Sequence, residues 1–237
     1  MNDTEKGILY IVSTPIGNMA DISARAIECL SAVDAIACED TRHSGRFLSH
    51  IGVKNKLMSY HDHNAGTRSS SIIEMLNSGS SVALISDAGT PGVSDPAYRV
   101  VKDAVAEDII VQAIPGASSL LAALVVSGLP LDRFCFEGFL PPKGAKRLKR
   151  IEDLMDETRT IIFLESPHRI NKLLNSIYEI LGDREISVSR ELTKLHEETV
   201  RGYVRDVYEK LQEKKPRGEY TVVLRGKDKK KKGELKE

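Results

Sequence analysis

Residues 82–96 read VALISDAGTPGVSDP, a pattern that predicts a buried strand, a loop and the start of a helix. The apolar run VALIS is typical of a strand that is buried on both faces of a parallel sheet. Gly89 and Gly92 allow the loop backbone to approach a ligand closely. Asp95-Pro96 predicts the helix start, with an N-cap acid followed by Pro as the first helical residue. Because ligands of open α/β sheets bind at the carboxyl ends of strands, this loop is a candidate ligand site.

The same succession of strand, loop and helix occurs throughout the first half of the chain. The pattern predicts strands at 8–13, 35–38, 56–60, 82–86 and 109–114, and helices at 21–33, 41–51, 65–77, after Asp95 and at 118–127. Strands that alternate with helices at this spacing indicate βαβ units and a mostly parallel sheet.

The alternation changes after Pro130. The pattern predicts strands at 134–139, 160–166, 185–191, 198–203 and 219–225, and helices at 143–157, from Ser166-Pro167 onward and at 205–214. Two strands joined by a short connection indicate that this sheet is partly antiparallel. We therefore expect an α/β protein with an N-terminal domain at 1–117, a C-terminal domain with a mixed sheet at 118–226, and a basic, disordered tail at 227–237.

The composition is that of an ordinary globular protein, with 41% hydrophobic and 29% charged residues among 237. No apolar run approaches ~18 residues, so we expect no membrane span, and the acidic N-terminus does not resemble a signal peptide. Three scattered cysteines favour a reducing cytoplasm. The chain lacks GxGxxG, P-loop, HExxH and GxSxG motifs and has no His/Cys cluster with metal spacing. These absences argue against a function as a dehydrogenase, an NTPase or a hydrolase, and we expect no bound metal.

Charge is unevenly distributed along a chain whose net charge is zero. Residues 1–117 carry 9 Lys and Arg against 14 Asp and Glu, whereas residues 118–237 carry 25 against 20. The basic segment 143–150 contains Lys143, Lys146, Arg147, Lys149 and Arg150, and the tail adds Lys227 and Lys229–Lys232. Such residues suit either a solvated helix face or contacts to nucleic-acid phosphates. With only 5% aromatic residues, we expect phosphate contacts and no platform for base stacking.

Polar or small residues follow most of the predicted strands. Ser13–Asn18 and Pro115–Ser119 are two further small-residue loops, which would lie beside Asp87–Pro96 if their strands are neighbours. Polar clusters follow other strands, at Glu39–His43, Tyr60–Asn64 and Arg190–Lys194. Asp40 and Asn64 are equally suited to cap helices, so the clusters have a structural explanation as well as a functional one.

Nine motifs occur in order between residues 15 and 223, namely PIGN, EDTRHSG, YHDHN, SDAGTPGVSDP, PGASS, FEGFLPPKG, FLESPHR, RELTK and RGEYTVV. Together they resemble the bacterial small-subunit (16S) ribosomal RNA cytidine ribose 2′-O-methyltransferase family, within the tetrapyrrole-methylase superfamily. The resemblance covers nearly the whole chain apart from both ends. The Asp87–Pro96 loop alone would indicate only the superfamily.

The resemblance implies a cytoplasmic homodimer of two-domain subunits that bind S-adenosylmethionine in the cleft between the domains. It implies methylation of the 2′-hydroxyl of a cytidine in the decoding region of 16S rRNA, with free 16S rRNA or the small ribosomal subunit as the partner and no role for DNA or membrane. The matching cofactor positions are Asp87, Ala88, Gly89, Thr90, Val93, Ser118, Ser119, Leu164, Leu192, Glu219 and Tyr220.

A sulfonium methyl group is already an activated electrophile, whereas a ribose hydroxyl needs a base or a cation to become a good nucleophile. The candidates are Glu39, Asp40, His61, His63 and Lys194, with Arg42 as a phosphate or alkoxide partner; Asp40 and His61 rank slightly first. Two alternatives stay open: a methyltransferase of the same fold acting on a tetrapyrrole or another small molecule, and a non-catalytic RNA-binding protein of ribosome assembly. The basic segment favours RNA over a tetrapyrrole.

Overall fold

The structure is a computed structural model that describes residues 5–213 and 215–228. The chain divides into two compact units, of which the first ends at Ser118 and the second begins at Ser119. We call them unit 1 and unit 2 and describe each by itself. The predicted tail lysines Lys229–Lys232 lie outside the described residues, whereas Lys227 lies within them and its Nζ is 2.6 Å from Asp156 Oδ1.

Unit 1 is built on a parallel sheet. Its strands are β1 (Leu9–Val12), β2 (Ala35–Cys38), β3 (Leu57–Ser59), β4 (Val82–Leu84) and β5 (Val111–Ile114). They lie in the order β3-β2-β4-β1-β5, and every pair is parallel. The carboxyl ends of the five strands therefore meet at one edge of the sheet, as the alternating sequence pattern predicts.

Helices cover both faces of this sheet. They are α1 (Ala24–Ala32), α2 (Thr41–His50), α3 (Ala65–Asn77) and α4 (Ala97–Ala106), with a short 3₁₀ helix at Met19–Asp21. Alternate residues of β4 enter two separate apolar clusters, since Val82 and Leu84 pack with α3 and α4 while Ala83 packs with α1 and α2. Burial on both faces explains why the strand sequence is continuously apolar.

Unit 2 contains a mixed sheet. Its strands are β6 (Phe134–Phe139), β7 (Thr160–Glu165), β8 (Glu185–Arg190), β9 (Glu198–Tyr203) and β10 (Tyr220–Leu224), in the order β6-β7-β10-β8-β9. The β6 and β7 strands are parallel, and β10 runs antiparallel to both β7 and β8. The predicted mixed sheet is confirmed. The helices are α5 (Ser119–Val126), α6 (Ala145–Glu152), α7 (Ile170–Leu181) and α8 (Val204–Gln212).

Several helices are shorter than the sequence pattern predicts. The α6 helix begins after Gly144, whose φ of +80° is not helical, and residues beyond Glu152 form turns. The α7 helix begins at Ile170 because Ser166 and Pro167 first form a turn, in which Ser166 O accepts from Arg169 N at 3.1 Å. In the part of the chain that is described, no helix combines the length and the apolarity needed to cross a bilayer.

Candidate functional site

Two of the small-residue loops of unit 1 are joined through their main chains. Thr14 follows β1 and Gly89 follows β4, and the two residues form an isolated antiparallel bridge. Thr14 N donates to Gly89 O at 2.9 Å, and Gly89 N donates to Thr14 O at 3.1 Å. Gly89 has φ +83°, which explains why glycine occupies this position.

The third loop, after β5, lies against the other two. Thr90 Oγ1 is 2.9 Å from Ser13 Oγ and donates to Ala117 O at 3.2 Å. A Cβ atom added to Gly116 would lie 2.9 Å from Ser13 Cβ, so glycine permits this close approach. The prediction that the three loops lie side by side is confirmed within unit 1.

The loop after β4 is held rigidly while part of it stays open to solvent. Both Asp95 carboxylate oxygens accept from Gly92 N, at 2.7 and 2.8 Å, and Oδ1 also accepts from Ala97 N at 2.9 Å. The N-cap residue of α4 is Pro96 and not Asp95 as predicted. Asp95 therefore caps the helix from the position before the N-cap. Asp87, Ala88 and Val93 are exposed, so a ligand has access to this loop.

Carboxylates collect at the same edge of the sheet. Burial, followed by the negative charges of Asp87, Asp95 and Asp62, raises the pKa of Glu39 above its ordinary value. The backbone N–H of Asp87 also donates a hydrogen bond to Glu39. The residues after β2 and β4 therefore meet, and their charges make this edge electronegative.

Asp40 acts as the N-cap of α2. Its Oδ1 accepts from Arg42 N at 2.8 Å and from His43 N at 3.3 Å. These two backbone hydrogen bonds lower the pKa of Asp40. A carboxylate with a lowered pKa is a weak base, so the geometry favours the capping explanation and lowers Asp40 in the ranking of candidate bases.

The histidines after β3 have different environments. His61 is half-buried; its Nε2 lies 3.3 Å from Asn64 Nδ2, and its Nδ1 has no hydrogen-bond partner among the described residues. His63 is exposed, and the two rings meet edge to face with centroids 6.0 Å apart. Asn64 occupies the predicted N-cap of α3, but its side-chain oxygen accepts from His61 N instead of from the helix.

Unit 2 brings together the four positions that the family resemblance assigns to it. Leu164 pairs with Thr221, next to Tyr220, and Glu191 N donates to Glu219 O at 3.2 Å. Leu192 is buried beside these strand ends. Its neighbours in the chain are both in the left-handed region, Glu191 with φ +50° and Thr193 with φ +68°, a strained conformation that is concentrated at functional sites.

Lys194, the predicted catalytic candidate in unit 2, belongs to an ion pair. Its Nζ lies 2.9 Å from Glu191 Oε1, and this hydrogen bond is the main cause of the lowered pKa of Glu191. Lys194 therefore holds the strained loop together and does not present a free amine.

The basic segment of unit 2 divides into exposed and buried residues. Lys143, Lys146, Lys149 and Arg150 are exposed, whereas Arg147 is only 1% exposed. Arg147 Nη2 lies 2.8 Å from Glu165 Oε2, and Arg169 Nε lies 2.8 Å from the other oxygen of Glu165. Arg147 is therefore not available to an RNA phosphate in this structure, and its guanidinium instead anchors α6 to the end of β7.

Sequence reasoning missed this ion network. The motif FLESPHR contains both Glu165 and Arg169, and their i, i+4 spacing was the available signal. Among the described residues, no group of three or more His, Cys, Asp and Glu is arranged to hold a metal ion.

Residues 8–208 match the family described as Tetrapyrrole (Corrin/Porphyrin) Methylases. The chain belongs to the tetrapyrrole methylase family. Among solved structures, the methyltransferase CobJ matches with a TM-score of 0.68 and 18% identity over 93% of this chain and 94% of that one. Cobalt precorrin-4 methyltransferase CbiF, a cobalamin biosynthetic enzyme, matches with a TM-score of 0.67 and 16% identity over 92% and 94%. At this identity the two structures establish the shared fold alone.

Named relatives are much more similar in sequence. A protein of Thermotoga maritima called ribosomal RNA small subunit methyltransferase I is 46% identical over 94% of this chain and 100% of its own length. Its namesake in Mesorhizobium japonicum is 49% identical over 91% of this chain and 74% of its own. The predicted family membership is confirmed.

The buried ion network leads to a stability prediction. Arg147→Met leaves Glu165 with one guanidinium partner, Arg169, instead of two, and breaking a buried ion pair costs about 3–5 kcal/mol. Because Arg169 remains, we expect a loss at the lower end of that range in the free energy of unfolding, measured by urea denaturation. Lys146→Met on the exposed face is the matched control, with an expected change within ~0.5 kcal/mol. Equal stability of the two variants would contradict the anchoring role.

The raised pKa of Glu39 leads to a second prediction. A glutamate whose pKa is higher in the folded than in the unfolded state destabilises the fold once it ionises. Glu39→Gln should therefore raise the melting temperature at pH 7, and this gain should disappear when the pH falls below the ordinary glutamate range. Glu28→Gln, at an exposed position on α1, is the control and should have little effect. A gain that persists in acid would mean that ionisation of Glu39 is not its cause.

Proposed function

We propose that this protein is an S-adenosylmethionine-dependent methyltransferase that modifies ribosomal RNA of the small subunit, at the ribose 2′-hydroxyl of a cytidine. The proposal rests on one observation. Three loops lie together at the carboxyl edge of the parallel sheet, next to the half-buried Glu39. Relatives that carry the name of such an enzyme are 46–49% identical to this chain. The part of the proposal that specifies a ribose 2′-hydroxyl and a cytidine rests on the resemblance of the nine sequence motifs.

The carboxyl edge of unit 1 suits S-adenosylmethionine chemically. The cofactor has a sulfonium and an ammonium group, and the carboxylates of Glu39, Asp87 and their neighbours make the edge electronegative. A bare phosphate would be repelled there. We propose that Asp87, Ala88, Gly89, Thr90 and Val93 contact the cofactor together with Ser118.

Further cofactor contacts are proposed in unit 2. Ser119, Leu164, Leu192, Glu219 and Tyr220 are the remaining positions. Four of them lie at one end of the mixed sheet, where Leu192 is buried and its flanking backbone is strained. Apolar side chains beside main-chain polar groups suit an adenine ring, which has apolar faces and polar edges.

Glu39 is the base that the electrostatics of unit 1 favour. When bound, S-adenosylmethionine supplies the activated methyl group. Glu39 would take the proton that the ribose hydroxyl loses as its oxygen forms the new bond to the methyl carbon, while the methyl–sulfur bond would break and leave a neutral thioether. A raised pKa makes Glu39 a stronger base than an ordinary carboxylate. His61 remains the second candidate, whereas Asp40 is occupied by its capping hydrogen bonds.

RNA binding is proposed at the exposed cations. Lys143, Lys146, Lys149 and Arg150 are on the surface of unit 2, and the side chain of Arg42 in unit 1 is 89% exposed. Neutralising phosphates with such residues gives affinity that falls steeply with salt. Because tetrapyrrole carboxylates would pair with such cations as well, it is the names of the 46–49% identical relatives that favour RNA among the alternatives.

Methyl transfer from radiolabelled S-adenosylmethionine into small subunits from cells that lack the enzyme tests the proposal. We expect one modified nucleotide, resistant to alkaline cleavage because its 2′-hydroxyl is blocked. Titration calorimetry with the cofactor should show saturable heat. A flat titration would favour a non-catalytic RNA-binding protein, and label transferred to a tetrapyrrole but not to RNA would favour the small-molecule alternative.

Two variants test the assignment of the base. Glu39→Gln should abolish most methyl transfer, whereas the calorimetric affinity for the cofactor should fall far less, because the carboxylates of Asp87 and Asp95 remain at this edge. Asp40→Asn retains a good N-cap and should transfer methyl groups at a rate close to the wild type. The reverse result would restore Asp40 as the base.

We also propose that the protein forms a homodimer in the cytoplasm. Large apolar side chains remain on the surface of α5, where Val125 is 65% exposed and Val126 39% exposed. Light scattering during gel filtration should give twice the 26.2 kDa mass of one chain. A mass of one chain at micromolar concentration would contradict the proposal.

A further inference from the structure

A groove runs along the open edge of the sheet in unit 1. The β3 strand is the first in the order β3-β2-β4-β1-β5, so it has a neighbouring strand on one side only. A cavity of about 580 Å³ is lined by residues of β3 and α3, and ligand pockets typically measure ~300–1,000 Å³. We call this cavity the β3–α3 groove. Its lining includes Lys56, Met58, Ser59, Arg68, Met75 and Ser78.

One face of α3 forms a wall of the groove. Arg68, Ser71, Met75 and Ser78 all line it, and their spacing of three, four and three residues is that of a single helix face. At 1.5 Å per residue this wall is about 15 Å long. Because α3 connects the parallel strands β3 and β4, it runs back from the carboxyl edge of the sheet, and Arg68 is nearer to that edge than Ser78.

The groove is basic although unit 1 as a whole is acidic. Residues 41–78 carry five Lys and Arg against two Asp and Glu, whereas the remaining residues up to 117 carry four against twelve. Lys56 and Arg68 are exposed. Neither forms an ion pair with any residue that the structure describes, unlike Arg42, whose Nη2 lies 3.6 Å from an oxygen of Asp40. The two cations are therefore available to an anionic ligand.

Part of the groove lining is apolar. Met58 and Met75 are half-buried and pack against the same core cluster of unit 1. Thioether side chains are flexible and make favourable contacts with aromatic rings. Glu74 is the one acid among the described residues that line the groove, and a carboxylate can accept a hydrogen bond from the amino group of a nucleobase. A nucleotide has the flat ring, the amino group and the negative charge that these neighbours suit.

One end of the groove lies beside the candidate catalytic residues. Ser59, which lines the groove, pairs with Cys38, the residue before Glu39. Neighbouring strands lie about 4.8 Å apart, so this end of the groove is roughly one strand spacing from the proposed base along the sheet edge. Asn64 Nδ2 donates to Ser59 O at 3.3 Å and also lies 3.3 Å from His61 Nε2. A ligand that leaves the groove at this end reaches the residues proposed to accept the ribose proton.

We propose that the β3–α3 groove binds an unpaired nucleotide next to the modified cytidine, with Lys56 and Arg68 on phosphates and the base against Met58 and Met75. This inference rests on the proposed function, and it adds the place where the neighbouring part of the RNA strand is held. The nucleotide is unpaired because a duplex hides the faces of its bases. Holding the strand beside Glu39 positions the target ribose for reaction.

Addition of a peptide strand to β3 is the competing explanation, because an open strand edge offers main-chain hydrogen bonds. The strand contains only three residues, Leu57–Ser59, and Ser59 O already accepts from the side chain of Asn64. Few main-chain groups are left for a peptide. The short edge and the unpaired cations beside it together favour an RNA strand.

The chain contains no tryptophan, which allows a direct test. Ser78→Trp introduces a single indole in the lining of the groove and removes only a hydrogen bond from Ser78 Oγ to Met75 O. Contact with a nucleobase quenches indole fluorescence. The probe is a ten-nucleotide single-stranded RNA. We expect saturable quenching by this RNA, weaker quenching by the matching duplex, and little quenching by an abasic strand with the same phosphates.

Ser70→Trp is the matched control. Ser70 is exposed on the same helix but does not line the groove, so its indole emission should stay nearly constant. Equal quenching in both variants, or equal quenching by abasic and normal strands, would overturn the proposal. Quenching of the Ser78→Trp variant by a ten-residue glutamate peptide as strong as that by RNA would overturn it in favour of a peptide. Emission that depends on protein concentration without RNA would overturn it in favour of self-association.

Charge variants test the phosphate contacts. Lys56→Gln and Arg68→Gln should each weaken RNA binding and reduce the slope of its logarithmic salt dependence by about 0.7. Lys102→Gln, at an exposed position on α4 outside the groove, should leave the slope unchanged. In methyl-transfer assays the two groove variants should raise KM for RNA more than they lower kcat, with unchanged calorimetric affinity for S-adenosylmethionine. An unchanged salt slope and KM in both groove variants would overturn the proposal.

The outcomes also distinguish this inference from the proposed function. If wild-type protein transfers methyl groups to RNA but the indole of the Ser78→Trp variant is not quenched, the function stands and the groove site fails. If that indole is quenched by single strands but wild-type protein transfers no methyl groups, the groove site stands as an RNA site and the enzymatic proposal fails.

Discussion

The main-chain bridge between Thr14 and Gly89 is the contact on which the geometry of unit 1 depends. It joins loops that are separated by about 75 residues in the sequence, and it exists only because the strands before them, β1 and β4, are parallel neighbours. Glycine at 89 permits the left-handed backbone, and the hydroxyls of Ser13 and Thr90 extend the bridge to the third loop. A rigid set of loops with exposed main-chain groups can bind a ligand without a large change in shape.

In unit 2 a single buried carboxylate, that of Glu165, holds a helix and a turn in place. Glu165 receives a guanidinium on each oxygen, from Arg147 of α6 and from Arg169 at the start of α7, and its Oε1 also accepts from Ser166 N. A buried ion pair adds little net stability over an apolar contact of the same shape. Its contribution here is to fix a basic helix and a turn at the end of β7, where apolar packing would allow them to slide.

The sequence predicted the order and type of the elements well because their periodicities are local. The strand at 35–38 and the helix at 65–77 have the expected bounds, whereas α6 and α7 are shorter than expected. The α6 helix starts where the φ of Gly144 allows, and α7 starts after the turn at Ser166. Hydrophobic periodicity along the sequence contains no information on either feature. The meeting of the three loops could be predicted, since parallel strands place their carboxyl ends at one edge.

Residue chemistry predicted the members of the candidate site but not their environments. Asp40 and Glu39 are adjacent acids after the same strand, yet backbone hydrogen bonds lower the pKa of one while burial and neighbouring carboxylates raise that of the other. Arg147 and Lys146 are adjacent cations, yet one is buried and the other exposed because α6 presents only one face to the core. In both pairs a difference of one position along the chain reverses the role of the residue.

The uneven charge of the two halves agrees with the roles proposed for the two units, since an electronegative edge in unit 1 suits a cationic cofactor and free lysines in unit 2 suit a polyanion.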